Sequence, residues 1–478
     1  MPDIYQELLK LADSDMYPLH MPGHKRNLES TPLKGAFRCD ITEIDGFDNL
    51  HDESGIILDA EKRANGLYGA DETYFLVNGS TSGVLSALSA AVPDGGTVLA
   101  ARGSHRSFYH VAYLRHLNIE YLPVKMIDKY GIFDGYSAEE VEDALREQAK
   151  KPDAVFITSP TYEGKCSDVE KIAKVCHKRN IPLIVDAAHG AHFGLGQGLP
   201  ESAVAAGADI VIHSLHKTLP SMTQTALIHV NGDIVDKALL KRFLRIYQSS
   251  SPSYVLMSSI DLCVKELLEK KDQYVKKLLE YRKRLDYGTR ECQKVRIIGT
   301  DELEDPSKVL IFVDSAEMTG HELYDILREE YGLQLEMAGV RYALAIITGW
   351  DTDEGIDRLL TAVCEIDKKL KESQSSKAGM VVESVVPEKE MPLYKAWDLD
   401  TEAVELERAM GRIAGDFVNL YPPGIPMIVP GEVIDERLID QIKGCIAMGL
   451  NVQGISDAKT MENKGIIGKR EIICVKQK

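Results

Sequence analysis

The chain has 478 residues, more than one hydrophobic core usually supports, so we expect two to four domains. Hydrophobic residues make up 44% and charged residues 27%, as in ordinary soluble globular proteins, and the formal net charge is −18. This charge disfavours nucleic acid and anionic membrane surfaces as partners, because phosphate groups attract basic patches.

The eight cysteines are scattered along the chain, and none is paired at CxxC spacing. That pattern argues against a zinc site and against a small disulfide scaffold, so no metal is expected. Residues 1–15 predict a short amphipathic helix without the basic stretch and apolar core of a secretory leader. Nowhere do eighteen apolar residues run together, and we expect a cytoplasmic protein.

Short apolar runs alternate with amphipathic helical stretches between residues 70 and 230. One such helix, 137–150, opens with a capping box of Ser137 and Glu140. Alternating strands and helices predict a mainly parallel sheet covered on both faces, with ligands at the carboxyl ends of its strands. The predicted strands are 74–77, 97–100, 119–123, 154–158, 183–185, 210–212 and 226–229.

The remainder of the chain predicts further units. A long helix at 254–293 precedes a second, smaller α/β unit, and a polar linker then leads to a last unit with a Pro/Gly-rich turn. In the smaller unit, strands are predicted at 308–313 and 343–348 and helices at 321–330 and 353–371. The predicted boundaries are 1–65 for an N-terminal segment, 66–255 for a large domain, 256–375 for the connecting helix and small domain, 376–391 for the linker and 392–478 for the C-terminal domain.

Three motifs carry side chains suited to chemistry. NGSTSG at 78–83 lies between strand 74–77 and a predicted helix at 84–91, where the Thr81 and Ser82 hydroxyls and free helix N–H groups suit an anion. Alone, this segment is more often an ordinary turn.

The other two motifs place opposite charges at the ends of core strands. Asp186 ends a buried strand, so its carboxylate needs a cationic partner, although an N-cap for the next helix would also explain it. Lys217, in SLHKT at 214–218, follows the next strand, 31 residues later. That spacing is one crossover, so both side chains are expected to line one pocket.

These three motifs follow one another along the chain in an order that resembles that of enzymes using pyridoxal 5′-phosphate (PLP) on the aspartate-aminotransferase-type fold. Further motifs, spread over nearly the whole chain, are similar to those of the bacterial ornithine/lysine/arginine decarboxylase family. They are PLHMPGHK at 18–25, RGSHRS at 102–107, SPTYEG at 159–164, DAAHGAH at 186–192, SPSY at 251–254, YPPGIP at 421–426 and PGE at 430–432. The implied fold class is α/β: a mainly parallel sheet in a PLP-binding large domain of aspartate-aminotransferase type, with a smaller α/β domain and a C-terminal α+β domain.

The resemblance implies a role for each matching residue. Lys217 would carry PLP as a Schiff base, and Asp186 would pair with the ring nitrogen. His105 would stack on one face of the ring, with Ala188 against the other. The phosphate would be held by three hydroxyl groups and one imidazole, those of Thr81, Ser82, Ser214 and His216.

The resemblance also bears on assembly. Proteins of this fold are dimers with the site at the subunit interface, so we expect a homodimer or a dimer of dimers, with residues 1–65 as an interface arm. Ser250 or Ser251 would then reach the neighbour's phosphate. His189 and His192 would lie near the cofactor, in roles left open.

The implied reaction is decarboxylation of a basic amino acid, first of all arginine to agmatine in polyamine biosynthesis. Only about seventeen residues precede the motif at 18–25, where large acid-inducible members have a regulatory domain. A short, biosynthetic-type arginine decarboxylase is therefore expected, without assembly into large rings through that domain.

Alternatives remain. Lysine or ornithine could be the substrate, and an aminotransferase, a lyase or an inactive binding protein could share the fold. An aminotransferase would clamp the substrate carboxylate through an arginine, for which Arg341 is the candidate, whereas a decarboxylase should lack that clamp. Candidate anions for a basic side chain are Glu432, Glu336, and Asp45 or Asp48 of a partner subunit, each also explicable as an ordinary surface carboxylate.

Overall fold

The computed structural model describes residues 3–315, 318–370, 386–421, 425–447, 449–462 and 465–477. Residues 376–385 of the predicted linker and 422–424 of the YPPGIP motif lie outside the described residues. No helix in the described part of the chain is long and apolar enough to cross a membrane.

The large domain is built on a mainly parallel sheet, as predicted. Its strands, with a separate hairpin of β4 and β5, are β1 Glu72–Leu76, β2 Thr97–Ala100, β3 Asn118–Tyr121, β4 Met126–Ile127, β5 Ile132–Phe133, β6 Ala154–Thr158, β7 Leu183–Asp186, β8 Ile210–Ser214 and β9 Ala226–Val230. The order across the seven-stranded sheet is β1-β9-β8-β7-β6-β2-β3. Only β9 runs against its neighbours, β1 and β8.

Helices cover both faces of this sheet. The helices up to the end of the large domain are α1 Ile4–Ala12, α2 Lys34–Cys39, α3 Ile56–Tyr68, α4 Gly79–Ala91, α5 Arg106–Leu114, α6 Ala138–Glu147, α7 Val169–His177, α8 Leu215–Thr218 and α9 Lys237–Tyr247. Alternate strand residues face opposite layers: Ile184 and Ile212 pack with α4, α5 and α9. Val185 and Val211 pack with α6 and α7, which explains why these strands are apolar throughout.

Helix α4 begins five residues before its predicted start, so the NGSTSG motif is its first turn rather than a loop. Gly79 turns the chain with a φ of +74°, in the left-handed region that favours glycine. Gly83 lets the helix lie directly on the sheet, since a Cβ there would be 2.6 Å from Leu76 Cδ1. The motif has no apolar periodicity, and that is why its helical character was missed.

The N-terminal segment packs on the long helix α10, Tyr254–Gly288, of its own chain. The carboxylate of Asp261, fully buried on α10, accepts a hydrogen bond from Ile4 N at 2.9 Å and from the Arg63 guanidinium at 2.8 Å. Shortly after α1, four apolar side chains are each more than 60% exposed: Met16, Tyr17, Leu19 and Met21.

The small domain and the C-terminal domain have antiparallel sheets. The small domain has the strand order β10-β11-β13-β12 and the C-terminal domain has two three-stranded sheets, β14-β19-β18 and β16-β15-β17. The small-domain elements are β10 Val295–Ile297, β11 Lys308–Val313, α11 Gly320–Glu329, β12 Met337–Ala338, β13 Tyr342–Ile346 and α12 Asp353–Lys369. The C-terminal elements are α13 Leu393–Trp397, β14 Thr401–Glu405, β15 Val418–Tyr421, β16 Ile425–Ile428, α14 Glu436–Ala447, β17 Asn451–Gln453, β18 Ile455–Glu462 and β19 Gly465–Val475.

A buried ion pair joins the C-terminal domain to the large domain. Arg102 Nη1 and Nη2 lie 2.5 and 2.8 Å from the two carboxylate oxygens of Glu432. The two side chains are 2% and 4% exposed. Val429 N donates a further hydrogen bond to Glu432 at 2.8 Å, and Tyr109 Oη donates one to the Arg102 carbonyl at 2.9 Å. Two buried charges in this geometry satisfy each other, and neither would be stable there alone.

We expect Arg102→Met to lower the free energy of unfolding by about 3–5 kcal/mol, because it leaves the Glu432 carboxylate buried without its partner. The double variant Arg102→Met/Glu432→Leu should lose much less, since it removes both charges. Urea denaturation of the three proteins measures the difference. Equal losses in the single and double variants would contradict the charge argument.

Two neighbouring strands of the central sheet carry buried histidines, His213 on β8 and His229 on β9, which are joined by a hydrogen bond. His229 Nε2 and His213 Nδ1 are 3.1 Å apart, and His229 Nδ1 is 2.8 Å from Thr73 Oγ1. Burial lowers the pKa of His213 to about 3, with a smaller contribution from His192. Burial also lowers the pKa of His229 well below its ordinary value. Both imidazoles are therefore neutral in the folded protein at pH 7.

This neutrality predicts a loss of stability in mild acid. Below a pH of about 6.5 the unfolded chain binds a proton at each of these histidines and the folded chain does not. The free energy of unfolding should therefore fall by about 1.4 kcal/mol per pH unit for each histidine. Urea denaturation between pH 7 and 5 measures the slope, which His229→Leu should reduce and the exposed control His116→Leu should not. A pH-independent free energy over this range would rule the prediction out.

Candidate active site

A cavity of about 310 Å³ lies at the carboxyl ends of β6, β7 and β8, where the parallel sheet predicts a ligand site. Its walls come from several elements far apart in sequence. Thr158 and Asp186 end β6 and β7, Phe133 comes from the β4–β5 hairpin, and Ile425 belongs to the C-terminal domain.

Lys217 lies on the wall of this cavity, in the short helix α8 directly after β8. Its Nζ is 2.9 Å from Nε2 of His189. Burial lowers the pKa of the Lys217 amine, and the nearby Asp186 carboxylate opposes that effect. A buried amine with a lowered pKa is more readily deprotonated and therefore more nucleophilic.

Asp186 is the last residue of β7 and stands beside Ile212 of β8 in the parallel register. The side chain is buried, and its Oδ1 accepts a hydrogen bond from Ala188 N at 3.1 Å. Burial raises the pKa of Asp186, whereas Lys217 acts to lower it. Among the described residues no cation lies within ion-pair distance of this carboxylate. The site therefore offers a buried carboxylate that a cationic ligand atom would hold in its charged form.

His105 and Ala188 both line the cavity. The imidazole of His105 caps helix α5, and its Nδ1 accepts a hydrogen bond from Ser107 N at 3.2 Å. Burial, and then the charge of Lys217, lower the pKa of His105 to about 4. A neutral, oriented ring of this kind is suited to stacking on an aromatic ligand.

Another part of the cavity wall is formed by the first turn of α4 together with β8 and α8. Ser80 and Thr81 line it, and the helix has no side-chain cap for its free N–H groups. Ser214 Oγ donates a hydrogen bond to Ser80 Oγ at 2.8 Å. His216 Nδ1 donates to the Thr225 carbonyl at 3.0 Å, which leaves Nε2 for a ligand.

Ser82 is one predicted site residue that the structure does not bring into the cavity. It is buried, and its hydroxyl donates to the Gly79 carbonyl of its own helix at 2.8 Å. Ser80 lines the cavity where Ser82 was expected. Thr223 and Gln224 also line the cavity, although the sequence analysis did not name them. The motif offers three hydroxyls, and without the start of the helix the sequence does not distinguish those that face the cavity.

His189 and His192, whose roles the sequence resemblance left open, lie in different surroundings. His189 lines the cavity, with its ring centroid 4.5 Å from that of Tyr162. Burial and then Lys217 hold the pKa of His189 well below its ordinary value. His192 turns away from the cavity and is fully buried, with Nε2 2.9 Å from Asp305 Oδ1. Only His189 is therefore in position to act on a ligand.

Ser250 and Ser251 are exposed and do not line the cavity of their own chain. The loop that carries them nonetheless lies beside α4, because Ser249 N donates a hydrogen bond to Asn78 Oδ1 at 3.2 Å. No group of three His, Cys, Asp or Glu side chains arranged for a metal ion occurs among the described residues.

Most charged residues proposed for substrate recognition are already engaged. Arg341 lies on the surface of the small domain, 3.3 Å from Asp314, and does not line the cavity. Glu432 is paired with Arg102. The Asp48 carboxylate caps α3 by accepting hydrogen bonds from Gly55 N at 2.7 Å and from Ile57 N at 3.0 Å, and Asp45 is exposed. Glu336 differs, because it accepts a hydrogen bond from Tyr162, a residue of the cavity wall.

Two family models match the chain. They describe the major domain of Orn/Lys/Arg decarboxylases, over residues 2–335, and their C-terminal domain, over residues 379–451. Arginine decarboxylase of Bacillus subtilis is 30% identical over 471 residues, which cover 95% of this chain and 96% of that protein. Lysine decarboxylase LdcA of Pseudomonas aeruginosa is 23% identical, over 91% of this chain and 74% of that protein.

A solved structure agrees with these matches. The Francisella novicida lysine decarboxylase LdcF superimposes with a TM-score of 0.83 at 18% identity, covering 100% of this chain and 81% of that chain. The chain therefore belongs to the Orn/Lys/Arg decarboxylase family, as the sequence resemblance predicted. It is accordingly an amino acid decarboxylase of the PLP-dependent class, on the aspartate-aminotransferase-type fold.

Proposed function

We propose that this chain converts L-arginine to agmatine and CO₂, with PLP bound in the cavity at the ends of β7 and β8. One observation carries the proposal: a half-buried lysine, Lys217, and a buried carboxylate, Asp186, line one cavity that also contains an uncapped helix N-terminus. Arginine is favoured because the Bacillus subtilis arginine decarboxylase matches nearly end to end at 30% identity, whereas LdcA is 23% identical.

The side chains of the cavity fit PLP. The Asp186 carboxylate, buried without an ion-pair partner among the described residues, suits a protonated ring nitrogen. Lys217 would hold the cofactor covalently through its Nζ, and His105 and Ala188 would lie against the ring. The phosphate would be held at the first turn of α4 by groups of Ser80, Thr81, Ser214 and His216.

When bound, PLP supplies a sink for the electron pair that departing CO₂ leaves at Cα. Asp186 would keep the ring nitrogen protonated, which strengthens that sink. Among the described residues that line the cavity there is no arginine, so nothing clamps the substrate carboxylate in its charged ground state. This arrangement favours loss of CO₂ over the carboxylate-anchored chemistry of an aminotransferase.

The proton that Cα then requires has two candidate donors, Lys217 Nζ and His189 Nε2, which are 2.9 Å apart. Burial lowers the pKa of His189 well below its ordinary value, which makes this imidazole a poor carrier of the proton. We infer that Lys217 Nζ delivers the proton to Cα, and that His189 accepts a hydrogen bond from the amine and so orients it.

The proposal extends to assembly and location. A homodimer or a dimer of dimers would bury the exposed apolar side chains of Met16, Tyr17, Leu19 and Met21, which fits an interface arm within residues 1–65. Ser250, on the loop beside α4, would then serve the partner's phosphate site. A cytoplasmic location accords with the cysteines, which are all free.

Release of CO₂ and amine from arginine, lysine and ornithine by the PLP-loaded enzyme tests the function. We expect agmatine from arginine, with kcat/KM at least about tenfold above that for lysine or ornithine, since guanidinium and ammonium groups bind differently. Formation of a keto acid without CO₂ from any of the three would point to an aminotransferase instead.

Replacement of Lys217 by alanine should abolish the visible absorbance of the bound cofactor and lower kcat by at least about a thousandfold. The exposed Lys171→Ala is the matched control and should keep both. Circular dichroism checks that the fold is intact. Persistence of the absorbance band in Lys217→Ala would exclude this lysine as the point of attachment.

A further inference from the structure

Four carboxylates surround the cavity, although a single one suffices to pair with a ring nitrogen. Asp134, Glu163 and Asp186 line it, and Glu336 accepts a hydrogen bond from the lining residue Tyr162. Against them stands one lining amine, Lys217, with no arginine among the described lining residues. A carboxylate here that is not already paired or protonated would favour a ligand whose remote end is cationic.

Two of these carboxylates are poorly suited to bind that cationic end. Asp134 already faces Lys125 at 3.5 Å and Lys165 at 3.8 Å, and its Oδ1 accepts a hydrogen bond from Gly135 N. Glu163 is buried, and burial raises its pKa, which favours the neutral acid. Its Oε1 also accepts a hydrogen bond from Tyr342 Oη at 3.0 Å.

Glu336 is held differently. Its backbone N–H donates to the Leu344 carbonyl at 2.9 Å, which fixes the chain at the start of β12. Its side chain is exposed, and among the described residues it has no Lys, Arg or His within ion-pair distance. Tyr162 Oη donates to Oε1, which steadies the carboxylate without neutralising its charge.

Glu336 is also close to the reacting end of the cavity. The Tyr162 ring that holds it packs against His189, with centroids 4.5 Å apart, and His189 Nε2 is 2.9 Å from Lys217 Nζ. Although burial lowers the pKa of Lys217, the Glu336 carboxylate acts on that amine in the opposite direction. The small domain thus presents a free anion within electrostatic reach of the amine.

We propose that Glu336 is the specificity-determining anion of the site, which binds the guanidinium or ammonium end of the substrate while Tyr162 positions its carboxylate. The inference rests on the proposed decarboxylation of a basic amino acid. It assigns the choice of substrate charge to the small domain, and not to the PGE motif, whose Glu432 is occupied by Arg102.

The test compares arginine with citrulline, which has nearly the same shape but an uncharged end. In Glu336→Gln, kcat/KM for arginine should fall at least about tenfold, mainly through KM, because a charge-assisted contact is lost. The value for citrulline should hardly change, and neither should the cofactor absorbance. Glu330→Gln, an exposed replacement of the same kind in the same domain, is the matched control and should behave as the unaltered enzyme.

Two additional measurements sharpen the test. Glu336→Asp keeps the charge and should retain more of the preference for arginine than Glu336→Gln does. Calorimetry should give at least about tenfold weaker agmatine binding by Glu336→Gln, independently of turnover. An unchanged arginine-to-citrulline ratio, or unchanged agmatine affinity, would overturn this inference and leave the proposed function intact. Failure of the unaltered enzyme to release CO₂ from any basic amino acid would overturn the proposed function, and this inference with it.

Discussion

The structure depends on holding an amine and a carboxylate together in a desolvated cavity. Lys217 and Asp186 would each be costly to bury alone, and each shifts the pKa of the other against the effect of burial. Parallel strands bring both to one edge, because β7 and β8 end side by side. Because the two side chains stand in a cavity with little water, their charges act on each other more strongly than they would at an exposed surface.

The large domain and the C-terminal domain line the cavity, and the small domain contacts its wall. The large domain supplies most of the lining residues, the C-terminal domain supplies Ile425, and Glu336 of the small domain accepts a hydrogen bond from the lining residue Tyr162. Buried charges fix these contacts. His192 of the large domain meets Asp305, which leads into the small-domain strand β11 and also faces Lys308 at 3.3 Å. Burial acts to raise the pKa of Asp305, but Lys308 and His192 outweigh that effect and hold the pKa low. This carboxylate therefore stays ionised.

Much of this was predictable because periodicity and chain order follow local physics. Strands such as β2 and β6 begin and end at their predicted residues, and the Ser137–Glu140 capping box forms. Lys217, Asp186 and His105 share a cavity because strand ends converge in a parallel sheet. The sequence did not distinguish Ser80 from Ser82, because the residue at which α4 starts decides which of the two side chains faces the cavity. Nor did it reveal that Glu432 pairs with a residue 330 positions earlier, because such pairing depends on how domains dock.

That separation of 330 positions has a consequence for how the protein is made. During synthesis, the strands and helices around Arg102 leave the ribosome long before Glu432 does. Until then the nascent large domain has an arginine intended for burial but no anion to neutralise it, so its surface near Tyr109 must stay hydrated or be shielded by a chaperone. The pairing of Arg102, and with it the docking of the C-terminal domain, thus waits for a residue that is made 330 positions later.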